Sequence, residues 1–367
     1  MSSYKPLKIG KWEAPIPIIQ GGMGVGLSWE RLAGSVAKEG AIGVVSAVGT
    51  GYRFPELVMR DRFGRPIGEH NTNSPLALKK IIRMAYDIAG SEDAIIGVNI
   101  LYAITNYAET VRAACEAGAK LIITGAGLPL KLPEYTKDFP DVALVPIVSS
   151  ARALRLIAKT WKKRYNRLPD AVILEGPLSG GHQGFKYEDC FKPENQLENL
   201  LPSVLEEAKK WGDIPVIVAG GVWDKKDIDK FMEMGAAGVQ IATRFIATHE
   251  CDAPEVYKRL LLNAEKEDII LLKSPVGFPL RVVKTPFIER LLKGENGWKG
   301  CVSNCVVPCH HGEEAKKVGF CIADRLGAAY LGDLEEGIFI SGANGYRLKE
   351  QGIISVKELI ERLTKGE

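Results

Sequence analysis

Eight short runs of β-branched and other apolar residues recur along the chain, each closed by turn residues and most followed by a segment of helical spacing. The runs are Ile16–Gln20, Ile42–Ser46, Ile95–Asn99, Leu121–Thr124, Ala143–Val148, Ala171–Glu175, Ile214–Ala219 and Gly238–Ile241. Each is nearly all apolar rather than alternating, the pattern of a parallel strand covered on both faces. Between them lie helix-like segments at Trp29–Glu39, Leu76–Ala89, Tyr107–Ala117, Ala151–Lys163, Leu197–Trp211 and Lys226–Met234. Parallel strands require such crossovers, because the chain must return to its starting edge before the next strand can begin. The spacing therefore predicts an α/β fold with eight βα units.

Eight units can form an open doubly wound sheet or a closed barrel. The open sheet wants one dominant glycine-rich turn after its first strand. Here glycines recur past several strand ends: Gly21-Gly22, Gly125 and Gly127, Gly180-Gly181, and Gly220-Gly221. That distribution suits a barrel, whose loops share one active-site mouth, and 367 residues leave room for it as a single unit. The expected architecture is a (β/α)8 TIM barrel over residues 1–270. Past the eighth strand the pattern dissolves: Lys273 to Cys321 carries prolines, glycines and four cysteines, before helical spacing resumes at Ile322–Leu331 and Val356–Leu363. Residues 271–367 are expected to form a cysteine-containing extension over the mouth.

Two loops of this barrel suggest a phosphate site. TIM barrels commonly cradle phosphate with the loops after strands seven and eight. Strand seven ends in Ala219-Gly220-Gly221, where a missing Cβ lets the main chain approach a ligand, and strand eight ends in Gln240-Ile241-Ala242-Thr243-Arg244. Any one glycine pair could be no more than a tight turn; two loops at the two expected strands favour an anion. His182 follows strand six between glycines, in Ser179-Gly180-Gly181-His182-Gln183-Gly184. A histidine so placed is expected to face the cavity, titrate near neutrality and act on substrate.

The set Pro17-Ile18-Ile19-Gln20-Gly21-Gly22-Met23-Gly24, Gly97-Val98-Asn99, Thr124-Gly125-Ala126-Gly127, Gly180-Gly181-His182, Ala219-Gly220-Gly221 and Gln240 to Phe245 resembles the nitronate monooxygenases, formerly called 2-nitropropane dioxygenases. That superfamily also contains the flavin-dependent enoyl-acyl-carrier-protein reductases, and the likeness covers roughly residues 8 to 285. The resemblance implies an FMN barrel in which Gly22, Met23, Gly24 and Asn99 line the flavin. Gly180, Gly181, Gly220, Gly221, Gln240, Ile241, Ala242 and Thr243 would hold its ring and phosphate, and His182 matches the active-site histidine of both branches. Glu175 is also expected at the cofactor, although the family often has Gln there; a carboxylate near the ring would disfavour the anionic reduced flavin unless protonated or paired. Ala242 stands where glycine is usual.

The expected activity is FMN-dependent oxidation of alkyl nitronates with oxygen. The rival enzyme reading is NAD(P)H-dependent reduction of an enoyl thioester, with acyl carrier protein as partner. A rival of another class is a flavin-binding redox sensor that responds through its cysteines. Cys301, Cys305, Cys309 and Cys321 form a C-x3-C-x3-C-x11-C pattern, with His310 and His311 adjacent. The spacing fits zinc poorly and an iron–sulfur cluster or other metal better, while simple packing of small hydrophobic thiols stays open beside it. Net charge is +3 from 48 basic and 45 acidic residues, so nucleic acid is not an expected partner. Seven cysteines, an odd number, with no signal-like start and no long apolar stretch, point to a small-molecule enzyme of the cytoplasm, off the membrane.

Overall fold

A computed structural model describes residues 4–57, 73–302 and 305–366; the side chains of His310 and His311 also lie outside the described set. The chain opens with a hairpin, β1 (Leu7–Ile9) and β2 (Trp12–Ala14). The barrel strands follow as β3 (Ile18–Gln20), β4 (Gly43–Ser46), β5 (Ile96–Leu101), β6 (Leu121–Gly125), β7 (Ala143–Val148) and β8 (Val172–Glu175). A two-residue strand, β9 (Gly181–His182), precedes β10 (Val216–Ala219) and β11 (Gly238–Ile241). The parallel order is β3-β11-β10-β8-β7-β6-β5-β4. Its two ends meet: Ile19 bridges Ile42 in parallel, and the Gln20 N–H donates to the Ile42 carbonyl at 2.9 Å. Closure excludes the open doubly wound alternative, and all eight strands lie where the apolar runs predict them, within about two residues at either end.

Neighbouring residues on the strands divide between two apolar layers. Ile19, Val44, Ile123, Val145, Ile173 and Ile217 fill the barrel interior, whereas Ile18, Val45, Ile122, Leu144, Val172 and Val218 pack outward against the helices. Because successive strand residues face opposite sides, both faces must be apolar, and the runs read as continuous rather than alternating. Leu7, Ile9 and Ala14 of the hairpin join the inner cluster, with Leu7 close to Gly238 at the N-terminal end of β11. The mouth is thereby left at the opposite, C-terminal end.

The crossovers are α1 (Glu30–Lys38), α2 (Pro75–Ala89), α3 (Tyr107–Glu116), α4 (Leu132–Tyr135), α5 (Ala151–Tyr165), α6 (Leu197–Lys209) and α7 (Lys225–Glu233). Local chemistry sets their ends. Ser74 accepts the Ala77 N–H before Pro75 opens α2, and Gly90 in the left-handed region stops it. Asp224 and Asp227 form a reciprocal capping box on α7. The short α8 (Thr243–Ile246) and then α9 (Glu255–Asn263) follow β11.

The extension is more ordered than its composition suggests. β12 (Ile269–Lys273) and β13 (Pro279–Val283) form an antiparallel hairpin, and β13 also pairs with β14 (Phe339–Ile340) and with β9. Four more helices complete it before the C-terminal α14 (Val356–Lys365): α10 (Pro286–Leu292), α11 (Glu313–Val318), α12 (Ile322–Tyr330) and α13 (Leu348–Gln351). β13 escapes a reading of periodicity because it is five residues long, begins with proline and holds an arginine at its centre. One continuous apolar cluster includes Tyr257 and Leu261 of α9 together with Leu280, Phe287 and Phe339 of the extension.

Candidate active site

The loops past β3, β4, β5, β6, β8, β10 and β11 surround one cavity, closed on its outer side by Val276, Cys305, Val306, Ile322, Ala323, Leu326 and Ile340 of the extension. Every residue expected from sequence to serve a cofactor lines it: Gly22, Met23, Gly24, Asn99, Glu175, Gly180, Gly181, Gly220, Gly221, Gln240, Ile241, Ala242 and Thr243. His182 lines it as well. Residues far apart in the chain converge because each sits at a strand's C-terminal end, which is the property of the barrel that the motif order anticipates.

The two glycine loops fit a phosphate-bearing group on observations of the chain itself. Among the described residues, the backbone N–H groups of Gly220, Gly221 and Ala242 have no acceptor, so they remain available to an anion. Gln240 is buried and its Oε1 has no hydrogen-bond partner, an orphaned polar atom at the end of β11 that a ligand donor would satisfy. The glycines themselves are required for a reason the sequence does not reveal. Gly220 and Gly221 have φ of 91° and 98°, and a Cβ on Gly221 would lie 2.9 Å from Leu178 Cδ1 rather than projecting toward a ligand. The Thr243 hydroxyl accepts the Gly342 N–H at 3.0 Å, tying the end of β11 to the extension.

His182 departs from expectation in its protonation. Burial pushes its pKa down to about 4, so the ring is neutral at physiological pH instead of titrating near neutrality. Its Nε2 lies 2.7 Å from the Ser274 hydroxyl, which in turn accepts the Val276 N–H at 3.2 Å. Backbone pairing of Leu280 with His182 and of Arg281 with Gly181 holds the loop from outside. The buried Arg281 guanidinium donates to the Ser179 carbonyl at 3.1 Å and the Pro177 carbonyl at 2.6 Å. Gln183 Nε2 donates to the Ser179 and Gly181 carbonyls at 2.9 and 3.0 Å. Ser274, Arg281 and Tyr52 belong to the site or its support and carry no sequence signal, since they come from segments that read as a loop or as an irregular tail.

Glu175 also faces the cavity, and burial pushes its carboxyl up to about 7. Among the described residues the cysteines do not form a ligating set. Cys305 lines the cavity, Cys301 is exposed, Cys309 is half-buried and Cys321 is buried just ahead of α12. Among the described residues no group of three or more His, Cys, Asp or Glu side chains could hold a metal ion, so the expectation of an iron–sulfur cluster or other metal at Cys301, Cys305, Cys309 and Cys321 finds no support. Among the described residues no helix is long and apolar enough to cross a membrane.

Comparison with known proteins places this geometry. FabK from Thermotoga maritima superposes with a TM-score of 0.71 at 26% identity, covering 96% of this chain and 93% of that one. A nitroalkane oxidase from Streptomyces ansochromogenes shares the fold, with a TM-score of 0.67 at 19% identity over 96% of each chain. A 5-hydroxy-7a-methyl-1-oxo-octahydro-1H-indene-4-carboxyl-CoA dehydrogenase of Mycobacterium tuberculosis is 26% identical over 76% of this chain and 66% of its own length. A probable nitronate monooxygenase of Staphylococcus aureus is 30% identical over 34% of this chain and 35% of its own length. The chain thus spans just under two thirds of the first of these curated relatives and about a third of the second. The nitronate monooxygenase family model matches residues 5–366, and with the barrel, the glycine loops and the strand-end histidine in place, this chain belongs to that family of oxidoreductases.

Proposed function

We propose that the protein is an FMN-dependent oxidoreductase that oxidises alkyl nitronates with oxygen, His182 facing the substrate. The observation that carries this reading is a neutral histidine, locked by Ser274, in a largely apolar cavity whose other wall is two glycine loops with unused backbone donors. Gly220, Gly221 and Ala242 would hold the phosphate through their N–H groups. Gly22, Met23, Gly24, Asn99 and Gln240, with Gly180, Gly181, Ile241 and Thr243, would line the rest of the group. Bound FMN supplies the two-electron chemistry that no side chain here can perform.

The chain's own part is positional and acid–base. With Nε2 engaged by Ser274, Nδ1 is the ring atom left for substrate, and in the neutral tautomer whose Nε2–H donates to the Ser274 hydroxyl it accepts a hydrogen bond or a proton there. Leu101, Ile104, Val306, Ile322 and Leu326 would exclude water from an alkyl group. The thioester-reducing alternative draws support from one fact: the FabK structure and the CoA dehydrogenase match most of this chain, whereas the nitronate-named S. aureus relative matches a third of it. A donor with its pKa at about 4 suits that reaction less well, because it is deprotonated when a proton must be delivered.

The deciding experiment is to purify the protein, identify the heat-released flavin, and assay turnover with propyl nitronate plus oxygen and with NADH or NADPH plus crotonyl thioester. FMN and nitronate turnover are expected. Release of FAD, or turnover of the thioester alone, would replace this reading.

A further inference from the structure

Glu175 ends β8, in register with Ala219 immediately before the Gly220-Gly221 loop, and its side chain lines the cavity. Among the described residues no hydrogen bond or ion pair engages its carboxyl, and burial alone accounts for its affinity for a proton. A carboxyl placed this way caps no helix, bridges no loop and neutralises no cation, so nothing in the fold depends on it. It is a costly group to keep in the wall of a largely apolar cavity unless its proton is used.

The other titratable or charged groups lining the cavity are Tyr52 after β4, His182 on β9, Arg244 on α8 and Cys305 of the extension. Tyr52 is held protonated, its pKa pushed up to about 12, chiefly by burial. His182 is held neutral, its pKa down at about 4. Arg244 keeps its charge and turns it to the Trp223 carbonyl and Gln351 Oε1, at 2.9 and 2.7 Å. None of these three changes charge near neutral pH; Cys305, the remaining group of the four, enters the test below as a control.

We propose that Glu175 is the proton-uptake site for reduction of the bound flavin, binding one proton beyond the one the ring itself receives. The inference rests on the flavin reading above. Reduction of a bound flavin by a hydride equivalent would supply two electrons and one proton and add one negative charge beside Glu175. An ionised Glu175 would then be a second anion in the same largely apolar cavity, and like charges so placed disfavour one another. The carboxylate instead takes a proton from solvent; its O–H bond forms as the donor's bond to that proton, in hydronium or a buffer acid, breaks, so the balance is two electrons and two protons. The neutral carboxylic acid resolves the conflict that a carboxylate at this position would otherwise create with reduced flavin.

The test starts from flavin content, because a protein that binds no flavin refutes the flavin reading and not the role of Glu175. The midpoint potential of the bound flavin is then measured with dithionite and equilibrating dyes at several pH values above 7 for wild type, Glu175→Gln and Cys305→Ser. One proton per two electrons changes the equilibrium tenfold per pH unit, about 30 mV, and two protons change it a hundredfold, about 59 mV. Wild type and Cys305→Ser are expected on the steeper slope and Glu175→Gln on the shallower one. Equal slopes in wild type and Glu175→Gln, or a shallow slope confined to Cys305→Ser, overturn the assignment. Should Glu175→Gln fail to fold, redox-difference infrared spectra of wild type labelled with ¹³C-glutamate decide the matter. A carboxylic-acid C=O band that grows on reduction and moves with the label supports the proposal, and its absence refutes it.

Discussion

A histidine between glycines at a strand end reads from sequence as a solvent-facing group, yet burial under the extension holds His182 neutral, down at about 4. Two consequences follow at this residue. Replacing it with Ala should leave FMN bound, since the unused backbone donors lie on other strands, while lowering kcat per bound flavin roughly 10²-fold or more, the usual range for a lost acid–base group. Unchanged kcat per flavin would remove His182 from the mechanism. The same shift bears on stability: the unfolded chain binds the proton near 6.5 and the folded chain only near 4. This contribution is therefore complete above about pH 6.5 and declines as pH falls toward 4, so the melting temperature of His182→Ala relative to wild type should rise over that interval. Gly221→Val is a test of backbone rather than ligand contact. A φ of 98° and the approach to Leu178 should displace the loop, costing about 1–3 kcal/mol and emptying the flavin site together, as paired melting and flavin-content measurements would show.

Among the elements, α1 depends on a residue distant in sequence. The half-buried Asp252, beyond α8, accepts the N–H groups of Trp29 at 2.8 Å, Arg31 at 3.2 Å and Leu32 at 3.1 Å, standing in for the side-chain cap that Trp29 cannot provide. Asp252→Ala should destabilise the protein by about 1–3 kcal/mol through orphaned donors, read from denaturant midpoints at constant slope; no change would show that water replaces the carboxylate. β13 has the corresponding role beside the site. Its Arg281 holds two carbonyls of the loop leading to His182, so Arg281→Met should lower kcat per flavin and the melting temperature together, whereas a loss of stability alone would make the clamp merely structural.

For the molecule as a whole, barrel and extension share one apolar cluster and one cavity, and β9 of the barrel's sixth loop is a strand of the extension's sheet. A chain ending at residue 270 would leave β9 without its partner and expose Tyr257 and Leu261, now buried. It should aggregate or lose flavin rather than persist as a minimal barrel, and a soluble, flavin-bound truncation in size-exclusion chromatography would contradict this.

What is local was legible beforehand. Strand positions, the parallel closed order and the convergence of Gly22, Gly180, His182, Gly220 and Gln240 on one mouth follow from apolar runs and turn residues, because burial on both faces and crossover geometry act on short stretches of chain, while Asn99 came from the family resemblance. What depends on residues far apart was not. The His182 partner Ser274, the Arg281 clamp, the Asp252 cap and the solitude of Glu175 were decided only when distant parts of the chain packed together. Hydrogen bonding and desolvation depend on which distant groups close over a side chain, and no periodicity along the chain records that.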